Sequence, residues 1–214
     1  MGRWPVRRII AAASGAAIIG WVTGAYGAVL HLPIDIENSH ISATVEEPLA
    51  RMRDNPDTTG TFQILSGEVD GDPANLAATG HVSLEIDATS YDSGNSTRDR
   101  NVIHSALETF NFSGISFVST RIEDVKIVAP GAMGSATIVG NLTLHGVTRE
   151  MSIPVDLSMS PDGIFDARGE VIFDYTDFGI SPPKLILLSA GKMVKIEFQI
   201  RAERPGAPTP SPAP

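Results

Sequence analysis

From Gly140 onward, apolar and polar residues trade places every second position: Leu142 and Leu144 point one way, Asn141, Thr143 and His145 the other. His145-Gly146 reads as a turn, and the return segment puts Met151, Ile153, Val155 and Leu157 on a single face. A period of two is the signature of a strand with one buried and one wet face. The same alternation recurs over residues 61–69, 78–89, 115–128, 136–144, 150–158, 165–175 and 192–201. In the last of these, Val194, Ile196, Phe198 and Ile200 alternate with Lys195, Glu197, Gln199 and Arg201. A helix would smear these apolar residues around its circumference, so strand is predicted throughout. Gly71-Asp72-Pro73, Pro130-Gly131 and Pro161-Asp162-Gly163 supply turns. One short helix is predicted over residues 100–109, with Asp99 as its cap and Ile103, Ala106, Leu107 and Phe110 as its buried stripe.

Six to eight antiparallel strands, each with one apolar face, must stack as a sandwich or curl into a barrel. A barrel of about eight strands is just wide enough to be filled by side chains or to hold one small apolar ligand. The chain has 214 residues, enough for one sizeable core, and divides into residues 1–30, a polar lead-in over 31–59 with a short strand or helix near 41–52, a barrel over 60–203, and a Pro-rich tail over 204–214. The tail cannot bury enough apolar surface to fold.

The amino terminus carries Arg3, Arg7 and Arg8 without an acid, followed by an apolar stretch from Ile9 to Leu30. It reads equally as a cleaved signal peptide or as a membrane anchor helix. On either reading the remainder lies outside the cytoplasm, and an uncleaved segment makes the membrane a partner. The net charge of −9 becomes −12 once those three arginines are set aside, which disfavours nucleic acid. With no cysteine, neither disulfide nor thiolate chemistry is available.

Three stretches together resemble the YceI-like family of secreted bacterial lipocalin-like proteins. They are residues 82–99, a strand and polar turn ending in Arg98-Asp99; Gly140-Asn141-Leu142-Thr143-Leu144-His145-Gly146-Val147-Thr148; and residues 169–180, containing Asp177-Phe178-Gly179, followed by the closing strand from Val194. The resemblance implies an all-β, extended antiparallel barrel whose interior holds a long-chain isoprenoid, polyprenyl or quinone-type, with no cofactor and no metal. Three features depart from the family. Phe112-Ser113-Gly114 stands where it usually has an aromatic residue and a proline, an arginine often found near Asp174-Tyr175-Thr176-Asp177 is missing, and residues 34–52 replace a tryptophan-containing opening strand.

The apolar faces name the candidate lining: Leu84, Ile86, Phe117, Leu142, Leu144, Ile153, Val155, Phe173, Ile196 and Phe198, with Val171. Periodicity alone leaves a filled core as the alternative, which makes the chain a structural or interaction domain carried on a membrane anchor. Arg98-Asp99 reads as a lipid head-group clamp or, more simply, as a helix cap with an ion pair. His145 reads as a turn residue, and Asp174 and Asp177 as solvated or turn-capping carboxylates. No nucleophile, base and orienter stand together, and the other histidines, at 31, 40, 81 and 104, lack the spacing of zinc ligands. The expected protein is therefore a non-enzymatic container.

Overall fold

The alternating segments become the walls of a closed barrel. The computed structural model describes residues 29–45, 58–126, 133–160, 163–182, 184–185, 188–189 and 191–203. The strands are β1 (Leu30–Pro33), β2 (His40–Val45), β3 (Thr58–Gly71), β4 (His81–Asp92), β5 (Gly114–Lys126), β6 (Met133–Leu144), β7 (Val147–Met159), β8 (Phe165–Asp174), β9 (Lys184–Leu185), β10 (Leu188–Ser189) and β11 (Met193–Ala202). Antiparallel pairing runs β3-β2-β11-β8-β7-β6-β5-β4, and a further β3–β4 pairing closes the ring at eight strands. β1 lies in line with β2 along the same edge of β3, and among the described residues β9 and β10 pair only with each other. The closure pairs the two outer strands of the sheet with each other, and strands adjacent in the chain are mostly neighbours in an up-and-down order, although β7 and β8 pair only over Val155–Met159 and Phe165–Gly169.

The β6–β7 hairpin turns at His145-Gly146, as the sequence predicts. Both residues have positive φ (52° and 72°), the combination of a type I′ turn, whose twist matches that of its strands. The lead-in that showed no clear alternation supplies β1 and β2, and Leu30, counted with the apolar stretch, opens β1. The rest of that stretch up to residue 28, and the tail from 204, lie outside the described residues. Among the described residues no helix is long and apolar enough to cross a membrane.

The two ends of the barrel differ. At one, α1 (Leu76–Thr79) connects β3 to β4, packs on β5 and has Leu76 buried. The other end carries α2 (Ser96–Asn101), a π-helical turn (Val102–Ala106) and a 3-10 turn (Tyr175–Phe178).

The predicted helix is corrected here. It starts four residues earlier than read, with Asn95 as the cap, its side chain accepting from the Thr97 and Arg98 amides. Asp99 instead accepts from the Ser93 amide (3.0 Å) and hydroxyl (2.6 Å). Of the predicted stripe, Leu107 is buried, but Phe110 is 98% exposed.

Candidate ligand-binding site

Inside the wall lies a cavity of about 340 Å³, within the range of ligand sites. All ten side chains named from the sequence line it: Leu84 and Ile86 from β4, Phe117 from β5, Leu142 and Leu144 from β6, Ile153 and Val155 from β7, Phe173 from β8, and Ile196 and Phe198 from β11. Val171 of β8 joins them. Leu84, Leu142, Ile153, Phe173, Ile196 and Phe198 point inward yet stay only half-buried, so the surface they keep is cavity wall. A filled core of this size would have covered them.

Three wall aromatics lie over glycines of the neighbouring strand. A Cβ on Gly60 would run into the Tyr91 ring, one on Gly140 would come 2.5 Å from Phe117, and one on Gly169 would come 2.7 Å from Phe198. The missing side chains let these rings lie back against the sheet. Phe62 and Tyr91 also meet as a tilted pair with centroids 5.2 Å apart, and Phe173 meets Phe178 edge-on at 5.3 Å.

Of the 33 described residues lining the cavity, 28 are apolar; the others are Thr58, Tyr91, Arg98, Tyr175 and Ser181. All five sit at the end that carries α2 and the 3-10 turn. Strand periodicity did not find this rim. Tyr91 is out of step with Leu84 and Ile86, because β3 and β4 slip register between Thr61/Asp92 and Gln63/Asp87, and the extra β4 residues turn the ring inward. Ser90 holds that slip, its hydroxyl donating to the Asp87 carbonyl (2.6 Å) and accepting from the Gln63 amide (2.7 Å).

His145, Asp174 and Asp177 prove to be framework. A carbonyl can only accept, so His145 Nδ1 donates to the Phe178 carbonyl at 3.2 Å, while its ring packs on Phe112 at 4.5 Å. Nε2 is buried without a hydrogen bond among the described residues, 3.9 Å from the Glu108 carboxylate. Arg149 donates twice to the Asp177 carbonyl, from Nε (3.2 Å) and Nη2 (3.1 Å), pinning the 3-10 turn to β7. Asp174 ends β8 and caps that turn, accepting from the Thr176 hydroxyl (2.6 Å) and amide (2.8 Å), which hold its carboxyl below the usual range. Burial, and then the Asp174 charge, push the Tyr175 phenol up. Among the described residues no three His, Asp or Glu side chains gather as metal ligands.

The comparisons with known proteins agree with this architecture. The model of the YceI-like domain matches residues 33–202. A UPF0312 protein of Shewanella baltica is 33% identical over 152 residues, covering 68% of this chain and 74% of its own. One from Shewanella putrefaciens is 30% identical over 177 residues, covering 80% and 86%. Among solved structures, Burkholderia cenocepacia BcnA superposes with a TM-score of 0.66 at 21% identity, over 79% of this chain and 99% of that one. A polyisoprenoid binding domain from Saccharophagus degradans superposes with a TM-score of 0.62 at 14% identity, over 83% and 100%. At those identities the two structures speak for the fold, while the family model covers most of the chain: the protein belongs to the YceI-like family.

Proposed function

We propose that this protein is a carrier that holds a long-chain isoprenoid, polyprenyl or quinone-type, inside its barrel, with no chemistry of its own. The observation that carries the reading is the apolar cavity, whose inward side chains keep surface that no other described residue covers. Removing that wall and a lipid tail from water is favourable by about 25 cal/mol per Å², so a featureless hydrocarbon binds by area alone. The polyisoprenoid binding domain of Saccharophagus degradans, which shares the fold, supports an isoprenoid over other lipids. A site outside the cytoplasm is part of the proposal and rests on the arginine-flanked apolar segment at the amino terminus.

The test is to purify the protein from its native host without detergent, extract it with organic solvent and analyse the extract by mass spectrometry. A stoichiometric isoprenoid is expected. An extract that is empty, and stays empty after incubation with polyprenols and quinones, refutes the carrier and favours the packed interaction domain.

A further inference from the structure

The wall of the barrel is not evenly closed. β7 and β8 pair over Val155–Met159 and Phe165–Gly169, and beyond Val155 and Gly169 they run on toward the α2 end without pairing to each other. The ladder stops where the sequence removes a donor. Pro154 turns its backbone to β8, since its carbonyl lies 2.7 Å from where a Cβ on Gly169 would be. In an antiparallel strand the N–H and C=O of one residue point to the same side, so the next rung lacks its N–H. The seam is tied again at its far end, where Arg149 donates to the Asp177 carbonyl and His145 to the Phe178 carbonyl. Between ladder and tie, the stretch Glu150–Pro154 leaves a slot about 14 Å long, at about 3.4 Å per residue.

Burial of the inward side chains follows the seam. Val155, Phe165 and Ala167, where the ladder is intact, are buried, whereas Ile153, Val171 and Phe173 beyond it are half-buried, although all six line the same cavity. Facing the cavity therefore does not account for the difference, and the missing rungs do. Outside, the lips are apolar: Ile172 is 56% exposed, Pro154 is exposed, and so is Met193 of β11, opposite Asp174. We propose that this seam is a side portal through which an isoprenoid tail passes between a bilayer and the chamber, an inference that rests on the carrier reading. A chain admitted along its length at a side slot need not thread end-on through the polar rim, and apolar lips keep it out of water on the way. Widening the slot breaks no backbone hydrogen bond between β7 and β8, whereas parting two paired strands costs every rung.

The chain has no cysteine, so a cross-link can be confined to an introduced pair. Ser152→Cys with Ile172→Cys puts one thiol on each lip, at positions that the β7–β8 register would match if it continued. Asp156→Cys with Arg168→Cys sets the same bridge across the paired part of the same two strands. Each pair is joined in the full chain by a direct disulfide or, where the gap exceeds disulfide reach, by a bis-methanethiosulfonate spacer, and reductant releases both. Transfer of tritiated geranylgeraniol from phosphatidylcholine vesicles is then followed against time. The bridge between positions 152 and 172 is expected to slow uptake at least about tenfold with full recovery on reduction, and that between 156 and 168 to change it by less than about twofold. Protein loaded first and bridged afterwards is expected to release its lipid to acceptor vesicles with the same slowing. Uptake that ignores the bridge between 152 and 172, equal slowing by both bridges, or a lip pair that no spacer joins overturns the portal. Uptake by the reduced protein in those cases leaves the carrier reading standing, whereas reduced protein that takes up no lipid removes both.

Discussion

A hollow barrel and a filled one respond to added bulk with opposite signs, and Val171→Phe exploits the difference. Val171 lies on the inner face of β8 opposite Ile196, half-buried, and lines the cavity. Phenylalanine brings four more side-chain carbons, worth about 3 kcal/mol if wholly enclosed at about 0.8 kcal/mol per carbon. At a wall position about half of that area is covered. After the cost of ordering the ring, the lipid-free protein is expected to gain about 1 kcal/mol. A packed interior has no space for the ring, and overpacking would cost about 1–3 kcal/mol instead. Urea unfolding of lipid-free wild type and variant, followed by far-ultraviolet circular dichroism, reads the sign from the midpoint provided that the slope is unchanged. The same variant is expected to bind isoprenoids more weakly, because the ring takes their space. A lower midpoint at equal slope refutes the hollow interior and the argument built on the half-buried inward side chains.

The rim yields three further expectations. Tyr175→Phe removes a buried hydroxyl that has no hydrogen-bond partner among the described residues, so its unfolding free energy is expected to rise by up to about 1 kcal/mol. Because the folded phenol is raised, its contribution is present below about pH 10 and lost as pH climbs through the folded value, so the advantage of the variant widens in alkali; an equal gap at pH 8 and pH 11 contradicts this. Thr176→Val takes away the hydroxyl that holds the Asp174 carboxyl low, so it destabilises the protein at neutral pH, and the difference from wild type closes as pH falls below about 4; a pH-independent difference in thermal melts argues against the cap. His145→Ala loses both the bond to the Phe178 carbonyl and a ring packed on Phe112, and is expected to cost about 2 kcal/mol, whereas Asn, which tolerates positive φ, loses less; equal midpoints for the two variants in urea reject the account.

The walls were legible because each strand obeys one local rule. Val194, Ile196, Phe198 and Ile200 follow a strict period of two, and all four line the cavity. The rim escapes that rule because its positions are set by breaks in periodicity. Tyr91 faces inward through a register slip that no alternation encodes. Phe110 looked like the end of a helical stripe, but the helix widens into a π turn over Val102–Ala106 and is broken by the left-handed Glu108 (φ 47°), so the period of 3.6 does not reach it. Asp99 looked like a cap because Asp commonly caps, yet Asn95 lies nearer the true start and takes that role.

That interior stays open against a hydrophobic drive to fill it, and the wall supplies the reason. Eight strands closed by the β3–β4 pairing fix the circumference through backbone hydrogen bonds, so the barrel cannot collapse without breaking its ladder. What remains adjustable is the direction of the large side chains. Gly60, Gly140 and Gly169 leave gaps in the sheet that Tyr91, Phe117 and Phe198 occupy from the adjacent strands. Rings recessed in this way cover exposed backbone and at the same time withdraw from the lumen. The sequence thus spends its few large aromatics on the wall, with aromatic residues making up 6% of the chain. The remaining volume is bounded mainly by Ile, Leu and Val, a surface without directional polar groups until the rim at Arg98 is reached. On the proposed carrier reading, shape and polarity would act on different parts of a ligand: the walls would accept any slender hydrocarbon, and discrimination between such ligands would fall to the few polar groups at the α2 end.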